Sequence, residues 1–183
     1  MRRIFLLMNV TLEGYFEGPN DDLSWSKSKF EALSQESDRV VDTFLFGRRT
    51  FEMMRSFWPT PAGAQVHAEV ARVMNETPKV VVAHAGYEAG WQNVTVISDN
   101  VIDQIKQLKA QPGGDIAIFG SNTLCVSLLP HSLIDQIHLM LSPVAIGTGT
   151  PLFQGLTQKV DFTLTNSQQF ESGVVMLTYA PGG

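Results

Sequence analysis

Thr43-Phe44-Leu45-Phe46-Gly47-Arg48-Arg49-Thr50-Phe51-Glu52 runs from a short apolar segment through one glycine into a pair of arginines. The apolar segment predicts a strand over 43–46, and the residues after Gly47 predict a short helix over 48–56. Cations in a first helical turn are locally unfavourable. The N-terminus already carries about half a positive charge, and each added cation costs roughly 0.3–1 kcal/mol. An anion resting there reverses the sign, because backbone N–H groups, the helix dipole and the guanidinium forks then all favour phosphate. Two readings stand: a phosphate site, or a solvated arginine pair offset by Glu52 or by other acids nearby.

A second turn of the same form follows further along, in Ile116-Ala117-Ile118-Phe119-Gly120-Ser121-Asn122-Thr123-Leu124. Here three hydroxyl or amide side chains could satisfy phosphate oxygens or the free N–H groups of a helix start. One glycine is not the glycine-rich dinucleotide fingerprint, and taken singly an ordinary turn capped by Ser or Asn is the commoner case. Two such turns at the carboxyl ends of strands, one basic and one polar, suit the two ends of a dinucleotide.

Outward from these turns, Ile4 to Val10 is a central-strand candidate, followed by an extended loop over 11–22 with Gly18-Pro19 as a turn signal. Ser26 can cap a helix reaching Asp38, with Phe30, Leu33 and Ser37 on one face. Val66, Val70 and Val73 recur at helical spacing before Thr77-Pro78, and strands are predicted over 79–83 and 94–97. Asp99 caps a helix carrying Val101, Ile105 and Leu108, closed by Pro112-Gly113-Gly114. Ile137, Leu139 and Leu141 alternate with Gln136, His138 and Met140, the period of a half-buried strand. Phe162 and Leu164, then Val175, Leu177 and Tyr179, continue in period two around a turn at Glu171-Ser172-Gly173. Alternating strands and helices with a strand-only tail predict an α/β class: a mixed, mostly parallel sheet between two helical layers, with antiparallel C-terminal strands.

The chain has 183 residues with no repeat or linker signal, so one domain over 1–183 is expected. A formal charge of −5 argues against nucleic-acid or anionic-membrane partners. The single cysteine, Cys125, cannot form an internal disulfide, which fits a cytoplasmic protein. Arg2 and Arg3 before an apolar run imitate a signal peptide, but that run ends at Asn9 with no cleavage site after it. His67, His84, His131 and His138 show no metal-ligand spacing, so no metal is expected. Gly120-Ser121-Asn122 lacks the second glycine of a nucleophile elbow.

Asn9 to Pro19 with Leu23-Ser24-Trp25, Gly47 to Glu52, Phe119 to Leu124, and Leu133 to Leu139 with Ser142 to Phe153 together resemble one family, in order over nearly the whole chain. That family is the dihydrofolate reductase-like reductases, in the branch related to the reductase (C-terminal) domain of the bifunctional deaminase-reductase of riboflavin biosynthesis. The resemblance implies the dihydrofolate reductase-like three-layer α/β/α fold, a homodimer and NADPH as cofactor. It puts Gly47, Arg48, Arg49 and Thr50 near the adenine-side phosphates. Gly120, Ser121, Asn122, Thr123 and Leu124 would take the pyrophosphate, and Asn9, Val10 and Gly18 would flank the nicotinamide.

Two departures matter. Relatives often place Ser or Thr at the adenosine phosphate, where this chain has Ala83-His84-Ala85. His84 can contact a 2′-phosphate, yet NADH stays open. The acid that holds a pterin in true dihydrofolate reductases falls on Phe30, with Glu31 one residue on and about 100° round the helix. Dihydrofolate is therefore not the expected substrate. The expectation is an NAD(P)H-dependent reductase of a small planar heterocycle, pteridine- or pyrimidine-like, with Trp25, Phe30 and Trp58 as candidate walls. Glu13, Glu31 or a bound water would give the proton. The alternatives are a non-catalytic dinucleotide- or phosphate-ligand-binding module on the same fold, and an enzyme of a ribosyl phosphate.

Overall fold

The computed structural model describes residues 1–26 and 40–182. Its first strand, β1 (Ile4–Val10), places Ile4, Leu6, Met8 and Val10 on one face, all buried, while Phe5 and Leu7 are half-buried on the other. Such a strand belongs in the middle of a sheet covered on both sides. It pairs in parallel with β6 (Asp115–Phe119) and with β7 (Gln136–Leu141).

The remaining elements are β2 (Tyr15–Glu17), β3 (Val41–Gly47), α1 (Arg48–Phe57), α2 (Pro61–Val66), α3 (Ala68–Glu76), β4 (Lys79–Val82), β5 (Val94–Ile97), α4 (Val101–Ala110), α5 (Asn122–Leu128), β8 (Thr150–Pro151), β9 (Phe162–Gln169) and β10 (Val175–Pro181). The main sheet has the order β5-β4-β3-β6-β1-β7-β10-β9. Its first six strands are parallel; β10 runs antiparallel to β7, and β9 antiparallel to β10. One face packs Leu45, Ile116, Ile118 and Ile137 against Ile105, Leu124 and Leu128 of α4 and α5. The other packs Phe44, Phe46 and Phe119 against Phe51 of α1, Trp58 just beyond it, and Met74 of α3. The expected three layers and antiparallel tail are thus present. No helix among the described residues is long and apolar enough to cross a membrane.

Four local expectations are corrected. The loop over 11–22 holds β2, which pairs with β8 across most of the chain's length. The valine helix is broken at His67, whose extended backbone ends α2 and whose Nδ1 accepts the Val70 N–H at 3.3 Å to cap α3. The buried face of α3 is Ala71 and Met74, leaving Val66 and Val73 exposed. The N-terminal capping position of the helix after Asp99 is taken by Asn100, in the left-handed region and with no side-chain capping bond. Asp99 is instead tied to the helix by the Gln104 side chain, whose Nε2 donates to the Asp99 carbonyl and carboxylate at 2.8 Å each. Finally β7 is not half-buried: Ile137, His138 and Met140 are all covered. A histidine is tolerated there because its Nδ1 lies 3.1 Å from Thr178 Oγ1 and Phe5 meets its ring edge-on. The predicted helix from Ser26 to Asp38, with Phe30 and Glu31, falls on residues outside those described beyond Ser26.

The amino ends of the parallel strands carry buried charge. Arg2, 5% exposed, donates to the Asp42 carboxylate, to Thr43 Oγ1 (2.6 Å) and to the Gly114 carbonyl (2.8 Å). Asp115 holds Arg3 at 2.6 Å. Lys109 reaches Asp135 at 2.6 Å, and Asp135 in turn accepts the Ile4 N–H. Lys79, fully buried, donates to the carbonyls of Asn75 and Thr77 and lies over the Trp91 ring; burial lowers its pKa to about 8.

Candidate functional site

At the opposite, carboxyl ends of β4, β3, β6, β1 and β7 lies a cleft of about 940 Å³. Its rim is built by the two glycine turns, which the adjacency of β3 and β6 brings side by side. A Cβ on Gly47 would collide with Ser121 Oγ, and one on Gly120 would stand 3.2 Å from Thr50 Cγ2. Gly120 (φ +62°) and Ser121 (φ +66°) both adopt the left-handed region, which for a serine costs on the order of 1 kcal/mol. Neither helix start has a side-chain cap, since Gly47 has no side chain to give and Ser121 makes no capping bond. The first-turn N–H groups of α1 therefore remain available to an anion, with two guanidinium groups beside them.

Both arginines have carboxylate partners. Arg48 pairs with Glu52 one turn on (3.0 Å). Arg49 pairs with Glu17 of β2 (3.3 Å) and with Asp21. These contacts are exposed and exchangeable, so a phosphate competes with them at little cost. Glu17 is held there by the seam between the first loop and the 144–152 segment. Leu12 and Leu152 bond across it to the carbonyls of Val144 and Gly14, and Glu13 accepts the N–H groups of Ile146 and Gly147 at 2.8 Å each. Those bonds lower the Glu13 pKa, so it is ionised at neutral pH and has no proton to give.

The cleft gathers Asn9, Gly47, Arg48, Arg49, Thr50, His84, Gly120, Ser121, Asn122, Thr123, Leu124 and Trp58. Asn122 is also a brace, its amide donating to the carbonyls of Leu152 (3.3 Å) and Gln154 (3.1 Å). His84 at the end of β4 lies edge-on to Tyr87, with Nδ1 3.0 Å from the Ala85 carbonyl. Val10, Gly18, Glu13 and Trp25 do not line the cleft. Val10 is in the core on the other face of the sheet, Gly18 closes a turn onto Asp22, and Trp25 is buried with Nε1 donating to the Asp22 carbonyl. Phe30 and Glu31 lie outside the described residues. Cys125 is buried in α5, and burial pushes its thiol up to about 12, so it offers no thiolate.

Sequence reasoning missed the cleft's apolar arm, formed by Leu7, Phe16, Met53, Met54 and Met140, and its acids Glu17 and Asp21. Part of it was readable: Thr50, Met54 and Trp58 recur every four residues along one side of α1. Met140 had no such signal, since only the parallel pairing of β7 with β1 sets it opposite Asn9.

The model of the RibD C-terminal domain family matches residues 2–176. The chain is 30% identical to the uncharacterized protein YyaP of Bacillus subtilis (strain 168) over 178 residues, 97% of this chain and 94% of that one. Among solved structures, it superposes on the Thermotoga maritima diaminohydroxyphosphoribosylaminopyrimidine deaminase/5-amino-6-(5-phosphoribosylamino)uracil reductase with a TM-score of 0.70 at 17% identity, covering 99% of this chain and 57% of that one. It superposes on the Enterococcus faecalis dihydrofolate reductase, solved with NADP(H), with a TM-score of 0.67 at 16% identity, covering 99% and 97%. At these identities the structural likeness speaks for the fold, which is that of dihydrofolate reductase. The family match spans nearly the whole chain, and the protein belongs to the RibD C-terminal domain family.

Proposed function

We propose that this chain is an NADPH-dependent reductase of a small pyrimidine- or pteridine-like heterocycle other than dihydrofolate. One observation carries the reading: two uncapped strand-to-helix turns, one basic and one polar, abut on the rim of a single cleft. That cleft runs under five strand ends, about 19 Å at roughly 4.8 Å per strand, which is the scale of an extended dinucleotide.

Arg48, Arg49, Thr50 and His84 would hold the adenine-side phosphates, and Gly120 to Leu124 the pyrophosphate. Asn9 would lie nearest the nicotinamide. The bound dinucleotide supplies the hydride. The chain's own part is to orient two flat rings against Leu7, Met54 and Trp58 and to keep water away from them. Glu17 and Asp21 are paired with Arg49 and Glu13 lies outside the cleft, which leaves Glu31 or a bound water to give the proton. That both described cleft carboxylates are engaged by Arg49 favours a second reading, a non-catalytic module that holds the dinucleotide without turnover.

Titrating the purified chain with NADPH and, in parallel, NADH, followed by tryptophan quenching and calorimetry, tests the cofactor. Saturable binding that falls at least about tenfold in the Arg48→Ala/Arg49→Ala variant supports it. Absence of binding at millimolar nucleotide sinks it. Steady-state NADPH oxidation with oxidised pteridines and pyrimidines then separates enzyme from module.

A further inference from the structure

The turn that follows β4 carries a polar group with no assigned use. His84-Ala85-Gly86-Tyr87 closes with the Tyr87 N–H donating to the His84 carbonyl at 3.2 Å, and Gly86 supplies the positive φ (+78°) the turn needs. The Tyr87 ring is thereby laid edge-on to the cleft-lining His84 (centroids 5.7 Å apart) and to Phe51 of α1 (6.3 Å). Its hydroxyl is buried and has no hydrogen-bond partner. A buried donor left unmet is costly, and each one in a folded protein calls for an explanation. The residue after Phe51 is Glu52, and its carboxylate acts on the phenol. Burial raises the Tyr87 pKa most, and the Glu52 charge raises it further. Glu52 itself is engaged elsewhere, both of its oxygens accepting from Nη1 of Arg48 at 3.0 Å. Arg55, a second cation acting on the phenol, donates to the Ala89 carbonyl at 3.2 Å.

We propose that Tyr87 is a positioning residue, the reserve partner of Glu52: when a ligand phosphate draws Arg48 away, the Tyr87 O–H donates to the Glu52 carboxylate in its place. The inference rests on the reading that the first turn of α1 takes a phosphate. Neither Glu52 nor Tyr87 lines the cleft, so both act through Arg48. The Arg48–Glu52 pair is exposed and cheap to open. What opposes the opening is the carboxylate it strands, which has lost its cation and stands beside a newly arrived anion. A neutral phenol is suited to that moment, because it brings a donor without a charge that would compete for the phosphate, and bonds to an ionised acceptor are the stronger kind. The exchange satisfies two groups at once, the stranded carboxylate and the unmet hydroxyl. Of the two nucleotides, only NADPH carries a phosphate beyond the pyrophosphate, so the exchange favours NADPH over NADH.

Tyr87→Phe keeps the ring and removes only the hydroxyl, and calorimetric titration with NADPH and with NADH reads its effect. The substitution is expected to weaken NADPH about fivefold or more and NADH by less than about twofold. In a Glu52→Ala background it should leave NADPH affinity unchanged. A second measurement needs no nucleotide. Arg48→Ala strands Glu52 permanently, so adding Tyr87→Phe should lower the urea midpoint of the Arg48→Ala chain while leaving that of the wild-type chain unlowered. Equal weakening of both nucleotides, or an NADPH effect that persists without Glu52, would mean that Tyr87 merely supports the turn, and overturns the proposal. So does a midpoint change that is the same in both backgrounds, the result expected if Arg55 takes up the freed carboxylate. The two readings fail separately. If NADPH does not bind but the midpoints show the predicted difference, the cofactor reading falls and the reserve pairing stands. If NADPH binds and Tyr87→Phe changes neither measurement, the reverse holds.

Discussion

The two ends of the parallel sheet are made from the same strands and built on opposite principles. At the amino ends, Arg2, Lys109 and Asp115 are buried with their charges matched, and the backbone enters β1, β3, β6 and β7 beside an ion pair. At the carboxyl ends the charges are exposed and exchangeable, the helix starts are uncapped, and a serine is kept in the left-handed region. Buried charge is strongly destabilising once unpaired, so the first end holds one arrangement firmly. Unmet donors and local strain cost stability too, and they persist where a ligand uses them. One end anchors the sheet, and the other is the one to which the proposed function assigns binding.

Asp42→Ala should have the largest effect. It strips the carboxylate from Arg2, whose side chain is 5% exposed, and also from the Gly114 N–H. Loss of about 3 kcal/mol or more is expected in urea unfolding, with nucleotide affinity of the remaining folded protein unchanged. Arg48→Ala/Arg49→Ala should do the reverse. Its pairs are exposed, so stability moves by less than about 1 kcal/mol while nucleotide affinity drops about tenfold or more. A stable Asp42→Ala chain, or an Arg48→Ala/Arg49→Ala chain that unfolds early, would dissolve the distinction between the two ends.

Gly47→Ala tests how closely the two turns abut. The backbone at Gly47 suits any residue (φ −74°), so only space is at stake, and the new Cβ meets Ser121 Oγ. A loss of about 1–3 kcal/mol and weaker nucleotide binding are expected. Adding Ser121→Ala removes the colliding oxygen and leaves Ser121 Cβ 3.3 Å away, so the double variant should recover part of both. Strict additivity in that cycle would show that the turns do not touch as described.

The open end was far more legible in the sequence than the closed one. A glycine between an apolar run and a helix start is a local signal, and it appears twice. The buried pairs are long-range: Arg2 and Asp42 are 40 residues apart, and Arg3 and Asp115 are 112 apart. From sequence alone Arg2 and Arg3 resembled the start of a signal peptide, because only the neighbouring strands reveal their partners. The same limit hid the acids on Arg49, which come from 28 and 32 residues away on a loop placed by the β2–β8 contact. A three-residue strand against a two-residue one carries no periodicity to read. His138 misled for a related reason: a polar residue inside an alternating strand signals exposure unless its partner, here Thr178 forty residues on, is known.

The smallest predicted effect falls on the seam that carries Glu17 to Arg49. The Glu13 carboxylate accepts the N–H groups of Ile146 and Gly147, and the Ile146 bond is the main reason its pKa lies below that of an ordinary glutamate. With the folded pKa depressed, the stabilisation is fully present above the unfolded value and is lost as pH falls through the lower, folded one. Glu13→Gln keeps an acceptor but not the charge, so its unfolding free energy should lie slightly below wild type at pH 7. The two should converge on acidification below about pH 4.5. Because Glu13 touches the loop and not the cleft, nucleotide affinity should change only as far as Glu17 shifts on Arg49, by no more than a few-fold. A wild-type and variant pair whose stability gap stays constant from pH 7 to pH 3 would show that the charge of Glu13 plays no part in holding the loop. A collapse of binding would show that the seam, and not the turns alone, defines the open end.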